Sequence, residues 1–107
     1  MQQLSVTALA AWLADPVRPA PLLLDVREPW ETAVCTLPQA TLIPMMQLPA
    51  RIGELDPQRP VVCVCHHGSR SLQVAMFLAH HGFRDVFNLG GGVDAWAREV
   101  DPSCPRY

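Results

Sequence analysis

No lysine occurs in this chain: all eight basic residues are arginine. That absence excludes chemistry that needs a side-chain amine, such as Schiff-base formation or the lysine of a Walker-type phosphate loop. Asp and Glu together number ten, for a net charge of −2. A nucleic-acid binder would show a basic stripe, and a protein held on a membrane surface a polybasic face; neither partner is expected here. No apolar run approaches the ~20 residues that a membrane span needs. The start, Met1-Gln2-Gln3-Leu4-Ser5, lacks the basic opening and apolar stretch of a signal peptide. These absences predict a cytoplasmic protein. Its four cysteines (Cys35, Cys63, Cys65 and Cys104) are then expected to be reduced thiols rather than a disulfide framework. Internal repeats, low-complexity tracts and linkers are missing too.

What is present is a core. Half of the 107 residues are apolar, enough for one domain that needs no staples. Residues 1–107 read as that single domain, with 101–107 as an extended, proline-containing tail. Ser5 is placed to cap a helix running to Leu13, with Leu9, Trp12 and Leu13 on one face. Leu22-Leu23-Leu24 has the look of a strand buried on both faces. Pro29 sits near the first position of a helical turn. Thr41-Leu42-Ile43 predicts a short strand, and 48–55 a short helix. Val61-Val62-Cys63-Val64-Cys65, β-branched and bounded by Pro60, is the strongest strand signal. A helix pattern starts near Ser71, with Leu72, Ala75, Met76 and Ala79 at helical spacing and Gly82 as its C-terminal stop. Val86-Phe87-Asn88-Leu89 is a strand, Gly90-Gly91-Gly92 a turn, and 93–99 a helix. Strands alternating with helices predict an α/β fold: a small, doubly wound parallel sheet with helices on both faces. Ligands in such sheets bind at the carboxyl ends of the strands, which is where Cys65 falls.

The segment after that strand reads Cys65-His66-His67-Gly68-Ser69-Arg70. Successive N–H groups in a strand-to-helix loop form a nest for an anion, and the helix start adds partial positive charge. Gly68 permits the sharp turn. Thiols at helix N-termini or beside cations fall from a pKa of ~8.5 to ~3.5–7.5, so this setting favours a thiolate nucleophile. Arg70 and Ser69 are candidates to contact a bound anion or to orient the loop, and His66 and His67 to rim its mouth and attract an anionic donor.

In order along the chain, Asp25-Val26-Arg27-Glu28-Pro29, Ile43-Pro44, Cys65-x-x-Gly68-x-Arg70-Ser71, Gly82-Phe83 and Gly91-Gly92-x-x-Ala95-Trp96 resemble a rhodanese domain. The resemblance runs from about Leu4 to Trp96. It implies a sulfurtransferase: Cys65 takes a sulfane sulfur from a donor such as thiosulfate or a low-molecular-weight persulfide. The resulting persulfide then gives that sulfur to cyanide or a thiol. Residues 66–70 would cradle the persulfide, and Asp25 and Arg27 would support the site through ion pairs. The partners so implied are a sulfur donor and a thiophilic acceptor, a small molecule or a protein in either role; no metal or organic cofactor is required. Where the family often has Gly-His-Ile-x-Gly-Ala, this chain reads Cys35-Thr36-Leu37-Pro38-Gln39-Ala40.

Rival readings are weaker. Cysteine phosphatases and arsenate reductases place one more residue between Cys and Arg than the four found here, and no general acid is evident. Cys63-x-Cys65-His66-His67 contains good metal ligands, yet a strand running into a turn does not guarantee convergence, and Cys63 suits a buried strand position. A non-catalytic binding module on the same fold is the third alternative. Cys35 or Cys104 is a candidate to resolve an oxidised Cys65. Trp12, Trp30 and Trp96 are expected to serve core or hinge packing, Met45-Met46 to fill the core, and His80-His81 to lie at a solvated helix end.

Overall fold

The computed structural model describes residues 1–107 throughout. Five strands, β1 (Gln2–Leu4), β2 (Leu22–Asp25), β3 (Thr41–Leu42), β4 (Val61–Val64) and β5 (Val86–Leu89), form one sheet in the order β1-β5-β4-β2-β3. Every pairing is parallel. The helices are α1 (Val6–Ala14), α2 (Pro29–Val34), α3 (Leu48–Arg51), α4 (Ser69–His80) and α5 (Gly92–Glu99). Short 3-10 turns, Met45–Gln47 and Ile52–Glu54, flank α3.

β4 is central and buried along its whole length. Its alternating side chains feed two separate cores. Val62 and Val64 point to one face, packing with Leu9 and Trp12 of α1 and Val93, Ala95 and Trp96 of α5. Val61, Cys63 and the following Cys65 point to the other, with Leu24, Leu48, Val74, Ala75 and Leu78. That is the doubly wound α/β arrangement expected from the sequence. Each fully buried Leu or Val is worth ~1.5–3 kcal/mol, and two such cores keep the carboxyl end of β4 fixed.

The local signals act as read. Ser5 Oγ accepts the Ala8 N–H at 3.1 Å, starting α1. Glu28 N–H donates to the Glu31 side chain at 3.3 Å at the start of α2. α4 ends at Gly82 (φ +85), and the Phe83 N–H bonds back to the Leu78 carbonyl at 3.2 Å.

Four expectations are corrected. Cys35 and Cys104 are joined in a disulfide across 69 positions of sequence; the fold folds the tail back onto the end of α2, a proximity invisible to an argument from compartment. Neither is therefore a spare thiol for Cys65. The tail is not extended: a turn at Asp101, whose carbonyl accepts the Cys104 N–H at 3.0 Å, returns it across the sheet end. Trp30 is 64% exposed, its edge against the Tyr107 ring, and Met46 is 86% exposed; only Trp12, Trp96 and, in part, Met45 serve the core. β1 is a strand not foreseen, because Gln2 and Gln3 on a sheet edge carry no apolar signal. No helix is long and apolar enough to cross a membrane.

Candidate active site

Cys65 is the first residue beyond β4, and residues 65–68 turn directly into α4. Two glycines build that turn. Gly68 has φ +108, a left-handed conformation that strains any side chain, and a Cβ there would just touch Gly91 N and Leu89 O at 3.4 Å. Gly92 opens α5 at φ +58, and a Cβ there would overlap the carbonyls of Cys65 and His66. The closeness has a use: those carbonyls accept the N–H groups of Val93 (2.9 Å) and Asp94 (3.0 Å) in the first turn of α5. With its carbonyls turned to α5, the loop offers an amide inward. Gly68 N–H donates to Cys65 Sγ at 3.1 Å.

A second donor reaches the sulfur from α4. Ser71 Oγ lies 3.2 Å from Sγ and 2.6 Å from Asn88 Oδ1 on β5. Asn88 is itself oriented, because its amide donates to Gln3 Oε1 at 3.1 Å and Gly68 O at 3.2 Å. Ser71 has one hydroxyl proton and two claimants. With a protonated sulfur, the thiol donates to Ser71 and Ser71 to Asn88; with an anionic sulfur, the hydroxyl proton turns to Sγ. Cys65 is only 1% exposed, so such bonds form away from competing water.

Arg70 does not face the sulfur as a free cation. Its guanidinium grips Glu31 on α2 in a two-pronged bond, Nη1–Oε1 2.7 Å and Nη2–Oε2 2.8 Å. Arg70 holds the Glu31 carboxyl down to about 2 against the opposing effect of burial, with Tyr107 Oη adding a bond at 2.7 Å. Of the two roles open to Arg70, this geometry supports orienting the loop. Asp25 and Arg27 form a fully buried pair, Nη2–Oδ2 2.7 Å. Arg27 extends from it to the Cys35 carbonyl (2.6 Å), the Glu31 carbonyl (3.4 Å) and Tyr107 Oη (2.9 Å). Neither residue bonds the 65–70 loop itself; they hold α2, whose Glu31 grips Arg70, and Tyr107 of the tail, which bonds Glu31.

His66 is sandwiched between the rings of His67 and Tyr107, both at 3.8 Å. Burial, then the neighbouring His67, lowers its pKa, which favours a neutral imidazole that lends the mouth no charge. His67 and Ser69 are exposed at the rim. Cys63 points into the α4-side core, and burial, with Cys65 second, pushes its thiol up to about 12. The four residues of the metal-ligand reading therefore do not converge. The imidazoles instead approach Asp94, whose two oxygens hold Arg98 (3.1 Å) and Arg106 (3.0 Å). The hollow between α3 and α4, lined by Met45, Leu48, Pro49, Gln73, Val74 and Phe77, contains no ionisable group and offers no chemistry.

Glu31, Asn88 and Tyr107 were missed by reading the sequence. Each lies far along the chain from its partner, and none sits in a distinctive local pattern.

A model of the rhodanese-like domain matches residues 6–99. The chain belongs to this family. A protein of Allochromatium vinosum named sulfurtransferase is 43% identical over 81 residues, 76% of this chain and 76% of its own. The chloroplastic rhodanese-like/PpiC domain-containing protein 12 of Arabidopsis thaliana is 36% identical over 112 residues, all of this chain and 38% of its own length. A rhodanese-like domain protein from Staphylococcus aureus superposes with a TM-score of 0.83 at 32% identity, over 94% of this chain and 95% of that one. Within this rhodanese-like frame the divergent 35–40 segment acquires a meaning. Its first residue, Cys35, makes the disulfide, and Gln39 holds a left-handed φ of +59.

Proposed function

We propose that this chain is a sulfurtransferase that carries sulfane sulfur as a persulfide on Cys65. One observation carries the reading: an otherwise unpaired, buried sulfur receives a main-chain N–H and a hydroxyl at the start of a twelve-residue helix. Both donors and the helix dipole stabilise negative charge. In the first step the Cys65 thiolate attacks the outer sulfur of the donor. A Cys65 S–S bond forms, the donor's bond to that sulfur breaks, and the leaving group takes the bonding pair, as sulfite does from thiosulfate or a thiolate from a low-molecular-weight persulfide. In the second step an acceptor, cyanide or a thiol, attacks the outer sulfur and Cys65 leaves as the thiolate. Ser71 can follow the charge, because its proton needs only to rotate between Asn88 and sulfur. Residues 66–70 supply the loop amides, and Arg70, fixed by Glu31, holds the loop in shape. The sulfurtransferase names of several relatives support the same reading.

The test is intact-mass spectrometry after thiosulfate treatment, beside Cys65→Ala. The reading expects a gain of one sulfur atom in the wild type, removed by cyanide and absent from the variant. No gain with thiosulfate or with glutathione persulfide would overturn it in favour of a non-catalytic binding module.

A further inference from the structure

Residues 101–107 run from the end of α5 to the mouth of the Cys65 loop, and their contacts there are made by side chains. Cys104 is bonded to Cys35, with Cα atoms 5.6 Å apart. Arg106 pairs with Asp94 at 3.0 Å. The Tyr107 ring lies flat on His66, 7° from parallel, and its hydroxyl accepts from Arg27 and donates to Glu31. Tyr107 therefore touches both the residue next to Cys65 and the carboxylate that fixes Arg70.

We propose that this segment is a strap whose Tyr107 sets the size of the reactant that reaches Cys65, and that the Cys35–Cys104 bond decides whether the strap is in place. The inference rests on the reading of Cys65 as the reactive thiol. Chain reach makes the tether decisive. Tyr107 is three positions beyond Cys104, so with the disulfide closed its Cα stays within about 10 Å of that anchor. Cut free, the strap pivots from the end of α5, and seven residues sweep about 25 Å. A closed state held by side chains is one that a single bond can tip.

The chemistry that tips it is thiol–disulfide exchange. A dithiol reductant breaks the Cys35–Cys104 bond and forms its own disulfide; two electrons and two protons pass to Cys35 and Cys104. Thiols are also the acceptor class of the proposed transfer. A reducing, thiol-rich setting would then open the site to bulky partners, such as a protein persulfide, while an oxidised chain serves compact donors.

The experiment compares Cys65 alkylation by iodoacetamide with that by a maleimide carrying a long polyethylene glycol chain, read by peptide mass. It is run on the oxidised wild type, the wild type after dithiothreitol, the Cys35→Ser/Cys104→Ser double variant, Tyr107→Ala and Tyr107→Phe. Cys63, 0% exposed, is the internal control for folding, and only samples in which it stays unlabelled count. A strap closed nine-tenths of the time holds a bulky reactant to the open fraction, so the bulky-to-small rate ratio should rise about tenfold on reduction, in the double variant and in Tyr107→Ala. Tyr107→Phe, which keeps the ring on His66, should fall between. A ratio unchanged on reduction and in the variants overturns the gate. A ratio that rises while no sulfur donor leaves a persulfide keeps the gate and removes the sulfur-transfer reading. Persulfide formation with a flat ratio does the reverse.

Discussion

The two segments that meet at the mouth of the site are held by different kinds of bond. The 65–70 loop is pinned through its main chain: two of its carbonyls are tied to α5, and Gly68 N–H is tied to the sulfur. The 101–107 strap is fastened across the site through side chains, by a disulfide, an ion pair and the phenol of Tyr107. Main-chain bonds survive most substitutions and yield only to residues that alter the backbone. Side-chain fastenings yield to one mutation, one proton or one reductant. A nucleophile that must keep its geometry sits in the first kind of segment, and the part suited to regulation sits in the second.

The largest expected effect tests the main-chain side. Gly92→Ala should cost about 4 kcal/mol, because it adds both left-handed strain and overlap with the Cys65 and His66 carbonyls. The check is the urea midpoint. An unchanged midpoint would mean that α5 does not hold the loop.

Glu31→Gln comes next, since Glu31 belongs to both segments. It takes Arg70 from the loop and Tyr107 from the strap, and it is 3% exposed. Removing its charge leaves Arg70 partly unpaired, at a cost of about 2–3 kcal/mol with slower persulfide formation. Acid should do the same to the wild type. The folded carboxyl lies at about 2, below the usual carboxylate value of 4.5. The pair's stabilisation is thus full above pH 4.5 and is lost as pH falls toward 2, of order 3 kcal/mol in all. Stability followed through that window should decline in the wild type and decline less in Glu31→Gln. Parallel curves would assign the acid sensitivity to another carboxylate.

Tyr107→Phe should have a smaller effect. It removes a bond to a carboxylate and one from a guanidinium at a partly exposed position, where water can replace both, so about 1 kcal/mol is expected in thermal unfolding.

The same division governs what the sequence discloses. The strand, turn and helix around Cys65 are contiguous, and each carries its own signal: a β-branched run, a glycine, an apolar period. Arg70 was visible as part of that loop, but its partner Glu31 lies 39 positions away, so whether it would meet an anion or a carboxylate was not. The strap has no local signal at all. Its two prolines suggest an extended tail, and its anchors lie 69, 76 and 80 positions back. Counting cysteines and reasoning from compartment gave reduced thiols, because a pairing made by the fold leaves no mark on spacing. Asp25 and Arg27 were legible through the family resemblance, although they reach the site only through α2 and the tail.

The smallest effect has the opposite sign and falls at the strap's far anchor. Gln39 keeps φ +59, a conformation that costs a side chain about 1 kcal/mol and glycine almost nothing. Gln39→Gly relieves that strain and gives part of it back, because glycine gains freedom in the unfolded chain. The net should be a stabilisation of at most a few tenths of a kcal/mol, read from the urea midpoint. Gln39 lies four residues from Cys35 and outside the Cys65 loop, so persulfide formation should be unaffected. If Gln39→Gly instead destabilises the protein, the turn at 37–40 is held by the glutamine itself. In that case the strap is anchored to a segment with a side-chain fastening of its own.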